Sequence, residues 1–437
     1  MRRLRAYLSI IILGSIIISL VSCGRMNNGD NSDNIDKPNV DSDIVELQLW
    51  SYYGGFDEII EGFEKENPNI KVKISTFPYE EYELKYKESM IKENGDADIL
   101  IIDSNEYGGF NSISGLENLL DDKYNATQYK EDYDKELWEL GKSIDKSKLL
   151  GLPIASAPIV TYYRADIMES YGFPSNPKEL AEFMRDANNW LEIGKKLKAD
   201  DKYIVQWIGD IVRISTSDMA YFDENLEYQR DNERFKEAIE IARKGRNLGI
   251  SPYNDIWSDT GIRMLKEDKF AMLYLGSWGA SELEALVPEQ KGKWRVTALP
   301  FGAYGWNNAS IISIPENSRN KYAAWKFIEY YIFKHNDKNR LGNVSGYLPF
   351  RGVEENLKHK NEFLGGQEDQ RVYEELMSKT QEYSVTPLDK AVFKLWDDIV
   401  NEGLENGNKS DEILADIKSQ VNSKFSKEIK ILKNKIK

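Results

Sequence analysis

The sequence holds a single cysteine and two histidines among its 437 residues. One cysteine permits no internal disulfide and no zinc site built on several thiolates. His335 and His359 stand among Lys, Asn and Glu, outside any Ser-His-Asp or His-x-x-x-His setting. Most of the usual catalytic toolkit is therefore missing, and no catalytic residue, metal or cofactor is expected. Glycine and proline, at 30 and 13, are too scarce for a fibrous or disordered chain. Positive charge is also in short supply. The formal net charge is −15, and losing Arg2, Arg3 and Arg5 with a leader would make it more negative still. Such a chain repels nucleic acid and anionic headgroups, and no nucleic-acid partner is expected.

Long apolar runs are absent except for one. Ala6 to Val21, "AYLSIIILGSIIISLV", follows the three arginines. A spanning helix needs about 20 residues, and this run is shorter. It has the form of a signal peptide over residues 1–22, with an uncleaved N-terminal anchor as the alternative. The lone cysteine, Cys23, ends "LVSC", which resembles a bacterial lipobox. That resemblance implies cleavage before Cys23, a lipid on its sulfur and attachment to the outer face of the cell membrane. Residues 24–43, "GRMNNGDNSDNIDKPNVDSD", have almost nothing to bury and read as a flexible tether.

The rest is long enough for two cores. "IVELQLW" (44–50) and "IKVKI" (70–74) alternate like strands, and "ADILIID" (97–103) reads as a buried one. Between them, Phe56, Ile59, Ile60 and Phe63 mark one helix face, and 79–94 forms a charged amphipathic helix. Further strands are expected at 159–164, 270–275 and 310–314. Asn176, Pro177 and Glu179 open a helix whose stripe runs from Leu180 through Phe183, Met184 and Ala187 to Trp190. Phe235, Ala238, Ile239 and Ala242 mark another, closed by Gly249. Ala324, Phe327, Ile328 and Tyr331 share a face, and the tail beyond Glu354 reads as helical. The alternation implies an α/β fold with a largely parallel sheet. Ligands in such sheets sit beyond the carboxyl ends of strands. Trp50 with Ser51, Tyr52 and Tyr53, Asp103 with Ser104, and Trp278 after Gly276 and Ser277 all occupy such ends.

In order along the chain, "LQLWSYYGGFDEIIEGFEKENPNIKVKI", "GDADILIIDSNEYGGF", "LGLPIASAPIVTYYRADIMESYGFPSNPKELAEF", "EDKFAMLYLGSWG", "IPENSRNKYAAWKFIEYYI" and "GYLPFRG" resemble the extracellular solute-binding proteins of sugar-type ABC importers, the group that includes maltose-binding protein. The resemblance implies a periplasmic-binding-protein-like fold of two α/β lobes joined by a three-segment hinge. On this chain the lobes would be 44–154 plus 302–343 and 155–301 plus 344–437. The crossings would lie near 153–158, 300–304 and 342–351. It further implies a monomer that captures a sugar or oligosaccharide between closing lobes and delivers it to membrane permease subunits.

A pyranose offers a C–H face to aromatic planes and a rim of hydroxyls to charged or amide groups. The chain has 10 Trp and 25 Tyr. By the resemblance, Trp278 stacks on sugar. Tyr52 and Tyr53 follow the first strand in a turn that is aromatic rather than acidic, which points away from maltose itself. Trp50 is either site or core, as is Tyr163. Asp103 and Ser104 either bond hydroxyls or cap a helix. Trp306 and Asn307, at the second crossing, are candidates. So are Tyr347 and Arg351 at the third, where Arg351 either reaches the ligand or pins the hinge by a salt bridge. Trp207 and Trp257 are candidates from the second lobe. The alternatives are a non-sugar solute (iron held by the tyrosine pairs at 52–53, 162–163 and 330–331, an anion, or a peptide) and a secreted glycan-acting enzyme using two carboxylates.

Overall fold

The computed structural model describes residues 44–335, 342–380 and 385–436. The expected leader, Cys23 and tether lie outside these residues. Eight strands form one curled sheet: β1 (Val45–Ser51), β2 (Ile70–Thr76), β3 (Ile99–Asp103), β4 (Leu152–Arg164), β5 (Met272–Gly276), β6 (Trp294–Thr297), β7 (Trp306–Ser313) and β8 (Val344–Ser345). The strand order is β2-β1-β3-β7-β4-β5, with β6 and β8 also pairing β4.

The expected parallel sheet holds only at one end. β1 pairs β2 and β3 in parallel, through the βαβ pattern legible in 44–103. β7 runs antiparallel to β3 and β4, and β5, β6 and β8 run antiparallel to β4. The reason is that β4 and β7 are connections between two bodies of the protein. A strand arriving from the other body need not obey the right-handed crossover that keeps βαβ strands parallel.

β4 is the clearest case. Its first half, from Leu152, pairs with β7, and its second half, from Ile159, pairs with β5 and β6. The register slips between Pro153 and Ala155 and again between Ala157 and Pro158. Proline has no N–H to give the ladder, so the register slips beside both prolines and the strand passes to its new partners after Pro158.

The helices follow their stripes, with one exception. Asp57–Glu66 buries Ile59 and Phe63, carries Asp57 and Glu58 at its positive end and Lys65 at its negative end. Glu233–Leu248 ends on Gly249 at φ 68°, a left-handed cap that suits glycine. The single helix expected from 177 to 191 is instead two, Pro177–Phe183 and Ala187–Lys198. Asp186 caps the second, accepting from Asn188 N at 2.8 Å. An aspartate in mid-stripe offered the backbone a fresh start, and the apolar period ran on unbroken across it.

One core gathers Leu49, Phe63, Ile101, Leu152, Ile311 and Phe327. Two further clusters lie beyond the midpoint of β4, around Trp190, Ile211 and Trp396 and around Tyr162, Leu273 and Trp294. Val385 belongs to the first core while Leu388 belongs to the second, so a short segment of the C-terminal third ties the two together. It does so at close quarters: a Cβ on Gly108 would lie 2.2 Å from the Thr386 carbonyl oxygen. Gly108→Ala should therefore cost about 1–3 kcal/mol. Chemical denaturation checks this, and an unchanged midpoint would mean that the segment yields freely. Among the described residues, no helix is long and apolar enough to cross a membrane.

Candidate functional site

A cavity of about 620 Å³ lies between the first core and the others, within the range of small-molecule sites. Tyr79, Asn105, Glu106, Trp306 and Asn307 line it from the side of the first core. Facing them are Trp207, Asp210, Arg213, Tyr221, Arg230 and Trp257, with Asp389 and Lys390 at one edge.

Local chemistry fixes the two exposed tryptophans. Trp207 is 40% exposed and stands just before the helix Gly209–Ser215. Its N–H donates to Asp210 Oδ2 at 3.0 Å, which holds the loop against the helix start. Trp257 is 49% exposed. Its N–H and that of Ser258 both donate to Asp255 Oδ1, at 2.9 and 3.0 Å. Ser258 then caps the helix Asp259–Lys266 through Gly261 N. Both indoles thus project from turns whose backbones are tied down.

The charged groups come in opposed sets. Arg213 pairs with Asp210 one helical turn away. Lys390 Nζ bonds Glu83 and Glu106, each at 2.9 Å. The Arg230 guanidinium lies 3.6 Å from the centre of the Tyr221 ring, a cation–π contact. Asp389 accepts from Thr386 N and Oγ1 at 2.9 and 2.7 Å. Burial pushes its carboxyl up to about 6 against the pull of those bonds and of Arg230.

The residues anticipated from the sequence divide into two groups. Trp207, Trp257, Trp306 and Asn307 line the cavity. Trp278 does not. It stands behind Trp257, ring centres 6.2 Å apart, and donates from Nε1 to Asn307 Oδ1 at 3.1 Å. Asp103 caps the helix Ser104–Asn111 through Asn105 N and accepts from Asn308 Nδ2 at 2.6 Å, and Ser104 Oγ accepts from Ala309 N. These two buried side chains tie β3 to β7. Tyr52 meets Ser310 Oγ at 2.9 Å and stacks on Tyr82, while Tyr53 packs on Phe56. Of this tyrosine group it is Tyr79, edge-on to Tyr52, that reaches the cavity.

Four expectations move away from the cavity. Trp50 packs on Phe77 and Tyr86 beside the first core. Tyr163 is 0% exposed, with its hydroxyl donating to Ser175 O, so it has no surface for a ligand. Tyr347 packs edge-on against Phe333 and Phe350. Arg351 bonds Asp134 Oδ2 at 2.8 Å and Ser345 O at 2.6 Å, which ties the segment after β8 to the loop at Asp134. The tyrosine pair at 162–163 is split between two clusters, with Tyr162 donating to Ser277 O at 2.7 Å. Tyr79, Arg230, Asp389 and Gln206, which also lines the cavity, are not anticipated from the sequence. Tyr79 opens a helix behind Pro78, and the others sit in loops or at a helix start without a motif.

The profile of the family described as bacterial extracellular solute-binding protein matches residues 50–336. A lactose-binding protein of Rhizobium radiobacter is 26% identical over 350 residues, covering 74% of this chain and 79% of that protein. The galacto-N-biose-/lacto-N-biose I-binding protein of an ABC transporter from Bifidobacterium longum superposes with a TM-score of 0.71 at 17% identity, covering 89% of this chain and 98% of that one. An ABC transporter associated binding protein from B. animalis subsp. lactis, in complex with β-1,6-galactobiose, gives 0.71 at 18% identity over 88% and 98%. These structures share the two-lobed periplasmic-binding-protein-like fold. With more than half of its length under the family profile, the chain belongs to the bacterial extracellular solute-binding protein family.

Proposed function

We propose that this protein captures a sugar or short oligosaccharide in the cavity between its lobes and delivers it to the permease subunits of an ABC importer. The observation that carries the reading is the convergence of Trp207, Trp257 and Trp306, from three separate segments, on one cavity whose wall also carries amide, carboxylate and guanidinium groups. Indole planes match the C–H faces of a pyranose, and the interleaved amide, carboxylate and guanidinium groups match its hydroxyls. The names of the relatives, which bind lactose, galacto-N-biose, lacto-N-biose and β-1,6-galactobiose, support the same class of solute. The protein works as a monomer on the outer face of the cell membrane, held by lipid on Cys23. The lobes run 44–154 plus 302–343 and 155–301 plus 344–437, and the cavity-lining tryptophans, Asn307, Trp278 behind them and Tyr79 make the sugar contacts. No catalytic step is assigned to it.

A thermal-shift panel of mono- and oligosaccharides, with amino acids, a peptide and ferric ion as controls, tests the reading. A ligand at a hundred times its Kd should add about 2.7 kcal/mol of stability. A shift from a control and from no glycan would sink it.

A further inference from the structure

Most charged side chains on the cavity wall are already matched. Arg213 has Asp210, Lys390 has Glu106 and Glu83, and Asp255 accepts two backbone N–H groups. Arg230 and Asp389 are different. Both line the cavity, and both are buried, at 6% and 8% exposure. Arg230 donates to the carbonyls of Met219 and Ala220 and rests over Tyr221. Among the described residues, no carboxylate lies within 4.0 Å of its guanidinium. Asp389 spends one bond per oxygen on Thr386, and each oxygen can accept another. The two feel each other's charge without touching.

We propose that Arg230 and Asp389 seat a hydroxyl of an uncharged sugar between them, and that the pair excludes acidic and amino sugars from the site. This rests on the sugar reading above and narrows it to neutral glycans. A hydroxyl satisfies both groups at once through a single atom, accepting from the guanidinium and donating to the carboxylate. A uronate would suit Arg230 but would bring a second carboxylate up to Asp389. An ammonium would suit Asp389 but would face Arg230. Either places like charges together in a desolvated wall, a repulsive element that disfavours the charged sugar or forces a change of protonation. The other cations of the wall, Arg213 and Lys390, are already paired with carboxylates, and Asp255 is bonded to two backbone N–H groups. At neutral pH Asp389 is ionised and accepts only.

The test is calorimetric titration of the native protein at neutral pH with lactose, β-1,6-galactobiose and maltose, and with digalacturonate and the glucosamine dimer. At least one neutral disaccharide should bind, with both charged ones weaker by about a hundredfold or more. Asp389→Asn keeps the shape and the Thr386 contacts, and should improve digalacturonate relative to the neutral sugar by about tenfold. Arg230→Gln should do the same for the glucosamine dimer. A charged disaccharide binding the native protein within a few-fold of the best neutral one overturns the charge selection and leaves the sugar reading standing. Binding of none of the five overturns both. If a variant fails to fold, the native series still decides.

Discussion

Trp257→Ala should weaken sugar binding by about 30- to 100-fold while leaving the melting temperature nearly unchanged. The two halves of that expectation come from the same geometry. The indole is half exposed and sits on a turn fixed by Asp255 and Ser258 through the backbone, so truncation leaves that turn intact. A substitution at such a surface position costs roughly 0.5 kcal/mol or less. On the proposed function the lost plane is an anchor of the site, and removing such an anchor typically costs about 2–3 kcal/mol of binding. Trp278→Ala is the contrast. That ring packs onto Gly276, where a Cβ would lie 2.2 Å from Nε1, and it holds Asn307 in place. Its removal should cost both affinity and about 2–4 kcal/mol of stability. Fluorescence titration and thermal unfolding of the two variants separate a wall of the site from its backing. Full affinity in Trp257→Ala would put the site elsewhere.

That contrast also shows what a sequence can and cannot disclose here. The elements themselves are legible where their period is clean, as at Phe56, Ile59 and Phe63 or in the Asn176-Pro177-Glu179 helix start. The rule that ligands gather at strand ends led to Trp278, Asp103 and Ser104. It points to strand ends that stand beside the cavity. It could not say which of them face it. Asp103 and Ser104 are consumed in joining β3 to β7, a pairing between strands from distant parts of the chain. A strand that changes partners midway, as β4 does after Pro158, leaves no mark in a period-two pattern, so the antiparallel half of the sheet is not legible in the sequence. Arg230 and Asp389 are harder still. Each is an ordinary charged residue in its own stretch of sequence, and only the structure shows both buried on one cavity wall. Tyr163 fails for the opposite reason: an apolar-looking strand end and a site look alike until exposure is known.

Lys390→Met should loosen the grip of the lobes on each other, visible as a larger scattering radius and an affinity lower by about 5- to 30-fold. Lys390 sits on the helix Asp389–Asn406, whose Val392 and Trp396 belong to the second core. Its two partners, Glu83 and Glu106, are carried by Tyr79–Met90 and Ser104–Asn111 on the first. The ammonium is mostly exposed, which limits what the pairs are worth, but Glu106 is buried and close to Glu83. Removing the cation leaves two neighbouring carboxylates with Lys87 alone, bonded to Glu83 at 2.6 Å. Partial burial would raise Glu83, yet Lys87 and Lys390 more than reverse this and hold it at about 2 against an ordinary 4.5. The contribution of Glu83 is therefore complete above the ordinary carboxylate range and is lost as the pH falls from about 4.5 toward 2. Glu106 is moved the other way, by burial and by the charge of Glu83, so it takes up its proton earlier in the same descent. The native protein should then expand in acid and in high salt, and the variant should start expanded and respond little to either. Small-angle scattering over pH and salt measures both. Equal radii at neutral pH and low salt would show that Lys390 decorates the lobe contact without holding it.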